Sequence, residues 1–144
     1  MNAGHPKLLW LPLAPFERDG LRRALERAGL PHADVDAPGR WFWRFEENDV
    51  PVGFGGIEVH DEDGLLRIVT LPMLRHRGLG GAIADALEGE TVALGCRVLW
   101  VAAGGEEPFF AERGYAPCPR DTVPAAVAGS IPPGADAVMM KRVG

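Results

Sequence analysis

"LPMLRHRGLGGAIADAL", Leu71 to Leu87, decides how this chain is read. Gly78, Gly80 and Gly81 lie almost side by side. Arg75, His76 and Arg77 stand directly before them. An amphipathic run follows at once, with Leu79, Ile83, Ala86 and Leu87 on one stripe, and predicts a helix beginning near Gly78. A helix start presents unpaired N–H groups and a partial positive charge. Residues without Cβ let an anion lie against the main chain, and successive N–H groups form a concavity for it. Arg75 and Arg77 add charge to its rim. The pattern points to a phosphate, better a pyrophosphate, seated on residues 76–81. The competing reading is a glycine-rich turn with solvated arginines.

The flanks give the order of elements. Upstream, "LLRIVTL" (65–71) is a near-continuous apolar strand of the kind found in the middle of a sheet. "DEDG" (61–64) reads as a turn, and "PVGFGGIEVH" (51–60) as a strand whose glycines suggest a bulge or a close backbone approach. "RWFWRFEE" (40–47) alternates, with Trp41, Trp43 and Phe45 on one side and Phe42 on the other. "KLLWLPL" (7–13) is a first strand cut short by Pro12. Pro15 then opens a helix with Leu21, Ala24, Leu25 and Ala28 on its apolar stripe, ended by Gly29 and Pro31. Downstream, Gly95 closes the helix of the opening stretch and "RVLWVA" (97–102) is a buried strand. "EEPFFAERG" (106–114) is a short helix with Pro108 in its first turn, and "YAPC" and "DAVMMKRV" are late strands. The order predicts an α/β (α+β) fold, a mixed sheet with helices on its faces.

A chain of 144 residues suits a single domain, 1–144, able to bury its own core without metals or disulfides. A net charge of -5 argues against a general nucleic-acid binder, since phosphate backbones need a basic face. No apolar run reaches membrane-spanning length and no basic-then-apolar leader opens the chain, so a cytoplasmic location is expected. Cys96 and Cys118 lack metal-type spacing and read as incidental thiols.

Two familiar phosphate loops fail. Gly-x-x-x-x-Gly-Lys-Ser/Thr is absent, and after Gly78 and Gly80 the third position of Gly-x-Gly-x-x-Gly is Ile83. What stands is Arg-x-x-Gly-x-Gly, Arg75 to Gly80, after a strand and a proline. This resembles the coenzyme A loop of the GNAT superfamily of N-acetyltransferases. The strand before the loop, the helix after it, "RVLWVA" and "FFAERGY" fall in that family's order. "FWRFEE", "GFGGIEV", "LLRIVTLP", "RGLG", "FFAERGY" and "DTVPAAVAGS" together resemble a narrower group, the arsenic-resistance and phosphinothricin-type N-acetyltransferases. "IPPGADAVMM" departs from that group's tail.

The resemblance implies a mostly antiparallel sheet, splayed where acetyl-CoA enters, and direct acetyl transfer from acetyl-CoA to the amine of a small, amino-acid-like substrate. No metal is implied. The pyrophosphate would rest on Arg75, His76, Arg77, Gly78, Leu79, Gly80 and Gly81. The pantetheine would pair with the main chain of Ile68, Val69 and Thr70, and the Val69 N–H would hold the oxyanion. An amine must lose a proton to attack a thioester, and Glu58 is the candidate general base, directly or through water. If the "DEDG" turn closes with Asp61 opposite Gly64, Glu58 lies opposite Arg67, on one face. Arg67 would then grip a substrate carboxylate as a bidentate fork, and Trp43 and Phe45 would line the substrate. The competing reading makes Glu58 and Arg67 a structural ion pair. The tyrosine that serves many GNAT enzymes as general acid is here Phe110, and a frequent asparagine is Ala103. Tyr115 reads as core and His60 as surface. These departures leave two rivals, an acetyl-CoA-binding sensor without turnover and an enzyme acting on a protein lysine or N-terminus. A homodimer is left open.

Overall fold

The computed structural model describes residues 8–27, 29, 32–70, 79–102, 107–131 and 137–144. Seven strands form one sheet: β1 (Leu8–Pro12), β2 (Arg40–Glu47), β3 (Val50–His60), β4 (Asp63–Thr70), β5 (Val98–Ala102), β6 (Ala116–Cys118) and β7 (Val138–Arg142). Their spatial order is β1-β2-β3-β4-β5-β7-β6. Every neighbouring pair is antiparallel except β4 and β5, which run parallel and are joined through α2 (Leu79–Ala93). The other helices are α1 (Arg18–Arg27), α3 (Glu107–Glu112) and the single turn α4 (Ala125–Ala128).

Helices cover both faces, as the apolar stripes require. The larger core joins Phe45, Ile57 and Leu99 of the sheet to Ile83 and Leu87 of α2 and Phe110 of α3. On the opposite face, Leu21 and Leu25 of α1 pack with Val35 and Phe42, while Val123, Val127 and Ile131 pack on Leu65 and Trp100. The second of these layers, residues 120–131, is one that hydrophobic periodicity did not assign, because its helical pieces are too short to display a repeat.

The glycines of β3 serve close approach. A Cβ on Gly56 would lie 2.2 Å from Cδ1 of Phe42, and one on Gly55 would lie 2.7 Å from Cε1 of Phe45 and 3.0 Å from Cδ1 of Leu87. Aromatic rings of β2 therefore lie flat on β3, one on each face. The bulge sits further along, where Phe45 pairs with Gly53 and Glu46 with Pro51, leaving Val52 as the extra residue.

The hairpin register between β3 and β4 differs from the symmetric expectation. His60 pairs with Asp63, so only Asp61 and Glu62 form the loop, with Asp61 at φ 54. An aspartate tolerates that left-handed value, which permits the two-residue loop to sit one position earlier than the expected Glu62–Asp63. Glu58 consequently opposes Leu65, and Arg67 opposes Gly56. The shift is two residues. An even shift leaves every side chain on its original face, so Glu58 and Arg67 still share one, now as diagonal neighbours.

Candidate active site

Two features meet at the middle of β4. The first is a gap in the sheet. The β4–β5 ladder pairs Asp63 with Val98, Gly64 with Leu99 and Leu65 with Trp100, then stops. Both strands continue, β4 to Thr70 and β5 to Ala102. Beyond Leu65, alternate N–H and C=O groups of β4 face the β5 side with no ladder to satisfy them. Ile68, Val69 and Thr70 lie in this stretch, paired on the other side with Gly55, Phe54 and Gly53. α2 begins at Leu79, and the N–H groups of Leu79, Gly80 and Gly81 in its first turn have no intrahelical acceptor among the described residues. Arg75, His76, Arg77 and Gly78 lie outside the described residues, as does Ala103.

The second feature is a charged cluster on the α1 face. β2, β3 and β4 each turn alternate residues to that face, which brings Arg40, Glu58 and Arg67 together. Glu58 is fully buried and Arg67 is 2% exposed. Arg67 donates to Glu58 Oε1 at 2.5 Å and, as a bidentate fork, to both carboxylate oxygens of Asp34 at 2.9 and 2.8 Å. Arg40 donates through Nε to Asp34 at 3.0 Å and lies 3.4 Å from Glu58. Ser130 Oγ donates to Glu58 Oε2 at 2.7 Å, and His60 Nε2 is hydrogen-bonded to the same oxygen. The Arg67 guanidinium lies over the Phe42 ring, 5.8 Å from its centroid. The fork from Arg67 holds the Asp34 carboxyl down to about 2; burial opposes this and Arg40 assists it. Two cations thus face two carboxylates in a site walled by packed side chains, where their attraction is less screened than at a surface and offsets the cost of removing the charges from water.

A sequence model of the Acetyltransferase (GNAT) family matches residues 6–115. The chain belongs to that family. No protein with a curated description matches it. Among solved structures it resembles N-acetylglutamate synthase from Neisseria gonorrhoeae, complexed with coenzyme A and N-acetyl-glutamate, at 15% identity and a TM-score of 0.77. That match covers 97% of this chain but 36% of the synthase, so the chain spans about a third of that relative's length. It also resembles the ribosomal-protein-S18-alanine N-acetyltransferase from Escherichia coli (16% identity, TM-score 0.69, 96% of this chain and 95% of that one). The PaiA N-acetyltransferase from Thermoplasma acidophilum, complexed with coenzyme A, matches at 13% identity and a TM-score of 0.67, over 95% and 99% of the two chains. Identities this low establish a shared fold, and the mixed sheet with helices on both faces is the GNAT fold.

Within this GNAT domain the residues anticipated from sequence separate into two groups. Glu58 and Arg67 come together beside the gap, and the main chain of Val69 lies two residues beyond Arg67. Trp43 and Phe45 lie on the other face of the sheet. Phe45 is fully buried against α2 and stacked by Trp10, with ring centroids 5.9 Å apart, while Trp43 packs on the same core. The sheet therefore stands between these two rings and the charged cluster. Phe110 is buried, edge-to-face with Tyr115 at 5.5 Å. The Tyr115 hydroxyl is buried and has no hydrogen-bond partner among the described residues; burial, then Glu88 and Asp85, push its pKa strongly up.

Sequence reasoning did not find Asp34, Arg40 or Ser130, and it read His60 as surface. Asp34 and Ser130 belong to irregular segments with no period to interpret. The His60 signal was its i, i+2 spacing from Glu58, which places both on one face of a strand. Among the described residues no group of His, Cys, Asp or Glu is arranged to hold a metal ion, and no helix is long and apolar enough to cross a membrane.

Proposed function

We propose that this GNAT domain is an acetyl-CoA-dependent N-acetyltransferase whose acceptor is a small amine. The observation that carries the reading is the interrupted β4–β5 ladder beside a buried charged cluster. The open β4 edge at Ile68, Val69 and Thr70 suits an amide-bearing pantetheine arm, and the first turn of α2 suits the pyrophosphate at its N-terminus. Arg75, His76, Arg77 and Gly78 directly precede that turn in sequence, and this reading assigns them to the same pyrophosphate. Acetyl-CoA supplies the activated acyl group; the protein supplies placement and polarity.

The chain's own groups then divide the work. The Val69 N–H stabilises charge developing on the thioester oxygen, an effect worth about 3 kcal/mol per donor in other enzymes. The ammonium proton passes to the His60–Glu58 pair. Glu58 is closed from solvent and orients the ring, while the His60 side chain is 26% exposed and is the member open to the acceptor. With Phe110 in the tyrosine position, water or another group protonates the departing thiolate. The narrower reading is an amino-acid-like acceptor bearing a carboxylate, phosphinate or arsinate, as in arsenical or phosphinothricin resistance, acting in the cytoplasm. The N-acetyl-glutamate held by the gonococcal relative supports an amino-acid-like acceptor. On this reading Trp43 and Phe45 support the strand beneath the substrate.

Phe110 also favours a second reading, an acetyl-CoA sensor without turnover. Thiol release from acetyl-CoA, followed across a panel of amines, separates the two. Amine-dependent release is expected. Tight acetyl-CoA binding with only background release across the panel would establish the sensor instead.

A further inference from the structure

Arg67 stands on β4, the strand that borders the gap in the sheet, and its fork is full. Its two terminal nitrogens hold both oxygens of Asp34, the arrangement in which an arginine grips any carboxylate. We infer that Asp34 is a removable occupant of an anion seat: it fills the Arg67 fork in the free protein and yields it to the carboxylate, or equivalent oxyanion, of the acceptor amine. This inference rests on the acceptor reading above.

The two carboxylates on Arg67 are not equally able to leave. Glu58 stands on an inner strand, has no solvent exposure, and is held by Arg67, Arg40, Ser130 and His60 at once. Asp34 stands on the irregular segment between α1 and β2, is held by Arg67 and by Arg40 Nε at 3.0 Å, and its side chain is 26% exposed. That segment has anchors of its own. Val35 is buried against α1, Asp36 is paired with Arg18 and Arg22, and Gly39 accepts from the Val59 N–H at 2.8 Å. Asp34 can rotate out while its neighbours keep the backbone in place.

Direction and charge both favour exchange over addition. Phe42 covers one face of the guanidinium and Glu58 holds one terminal nitrogen from the side, so the edge that Asp34 holds is the one that offers an anion two parallel donors. Arg40 and Arg67 now balance Asp34 and Glu58. A third carboxylate entering beside them would leave one negative charge uncompensated in a confined site, whereas substitution preserves the balance. Position completes the argument. Arg67 stands on β4, the strand that borders the gap, two residues before Val69. A carboxylate in the Arg67 fork therefore holds its amine on the α1 face of that strand. Amines without an anion leave Asp34 seated. Those with one must outcompete a tethered carboxylate, which weakens their binding by the fraction of time the seat is open.

Two matched probes test this without turnover: N-acetylglycine and N-methylacetamide, which share the acetamide and differ by the carboxylate. Each is titrated calorimetrically into the coenzyme A-saturated protein. Asp34→Asn should bind N-acetylglycine about tenfold more tightly than the wild type and leave N-methylacetamide unchanged. Equal change for both probes, or no N-acetylglycine binding to either protein, overturns the inference. A second measurement needs only the native chain. The Asp34 carboxyl-carbon resonance, followed by NMR at neutral pH where both carboxyls are ionised, should move when N-acetylglycine is bound and stay in place with N-methylacetamide. A resonance that N-acetylglycine leaves unmoved at saturation overturns it, whether or not the variant folds. Failure here leaves the transferase reading intact so long as simple amines release thiol; absence of coenzyme A binding removes both.

Discussion

Glu58 shows how much one strand position can carry. It is fully buried, receives hydrogen bonds from Arg67, Ser130 and His60, and lies near Arg40. Replacing it with glutamine keeps the shape and removes the charge. Glu58→Gln is expected to lower turnover at neutral pH by about 10²–10⁴-fold, with a smaller loss at high pH where free amine is abundant. Steady-state rates across pH check this; an equal loss at every pH would make the role structural. Asp34 gives the residue-scale prediction for stability. Its folded-state pKa of about 2 lies below the ordinary value of about 3.9, so its pairing contributes fully above the ordinary value and is lost as pH falls toward 2. Between about pH 4 and about pH 2 the wild type should therefore lose Tm more steeply than Asp34→Asn. Parallel curves over that range would show that the pairing contributes nothing.

At the scale of elements, the contact that positions the cofactor end is α2 on β3. Gly55 is its seat: a Cβ there meets Phe45 at 2.7 Å, Leu87 at 3.0 Å and Ile83 at 3.2 Å, two of them on α2. Gly55→Ala should cost about 1–3 kcal/mol through overpacking. It should also weaken coenzyme A binding, because lifting α2 displaces the first turn proposed to hold the pyrophosphate. Gly20 of α1 provides the contrast, with nothing within 4 Å of an added Cβ. Gly20→Ala should stabilise by about 0.5–1 kcal/mol and leave coenzyme A affinity unchanged. Thermal unfolding and calorimetry on the pair separate packing at the site from stability in general.

For the whole molecule, coenzyme A that binds the folded chain shifts the folding equilibrium. Coenzyme A at about a hundred times its Kd adds about 2.7 kcal/mol to stability, or about 5–10 °C in Tm for a domain of this size. A differential scan with and without coenzyme A reads it; an unchanged Tm would remove the cofactor site from the interrupted β4–β5 ladder. Side-chain hydrogen bonds tie distant elements of that fold. Trp10 of the edge strand donates to Glu90 of α2 at 2.8 Å, and Trp100 donates to Asp63 at 3.0 Å.

Local patterns made the elements legible. The alternation of "RWFWRFEE" put Phe42 and Phe45 on opposite faces, and the stripe of Leu21 and Leu25 marked the buried side of α1, because side-chain direction within one element follows from its own period. The glycines after "LLRIVTL" indicated the family because a bare backbone at a helix start is a local chemical requirement. The tertiary structure alone decided the partners. A two-residue loop at Asp61–Glu62, one position earlier than the expected Glu62–Asp63, moved Glu58 from Arg67 to Leu65, and the return of distant segments brought Asp34 and Ser130 to the same cluster. Such meetings are set by strand register and by which layers close over the sheet. Those are properties of the packed chain, and no window of sequence short enough to have a period contains both members of the pair.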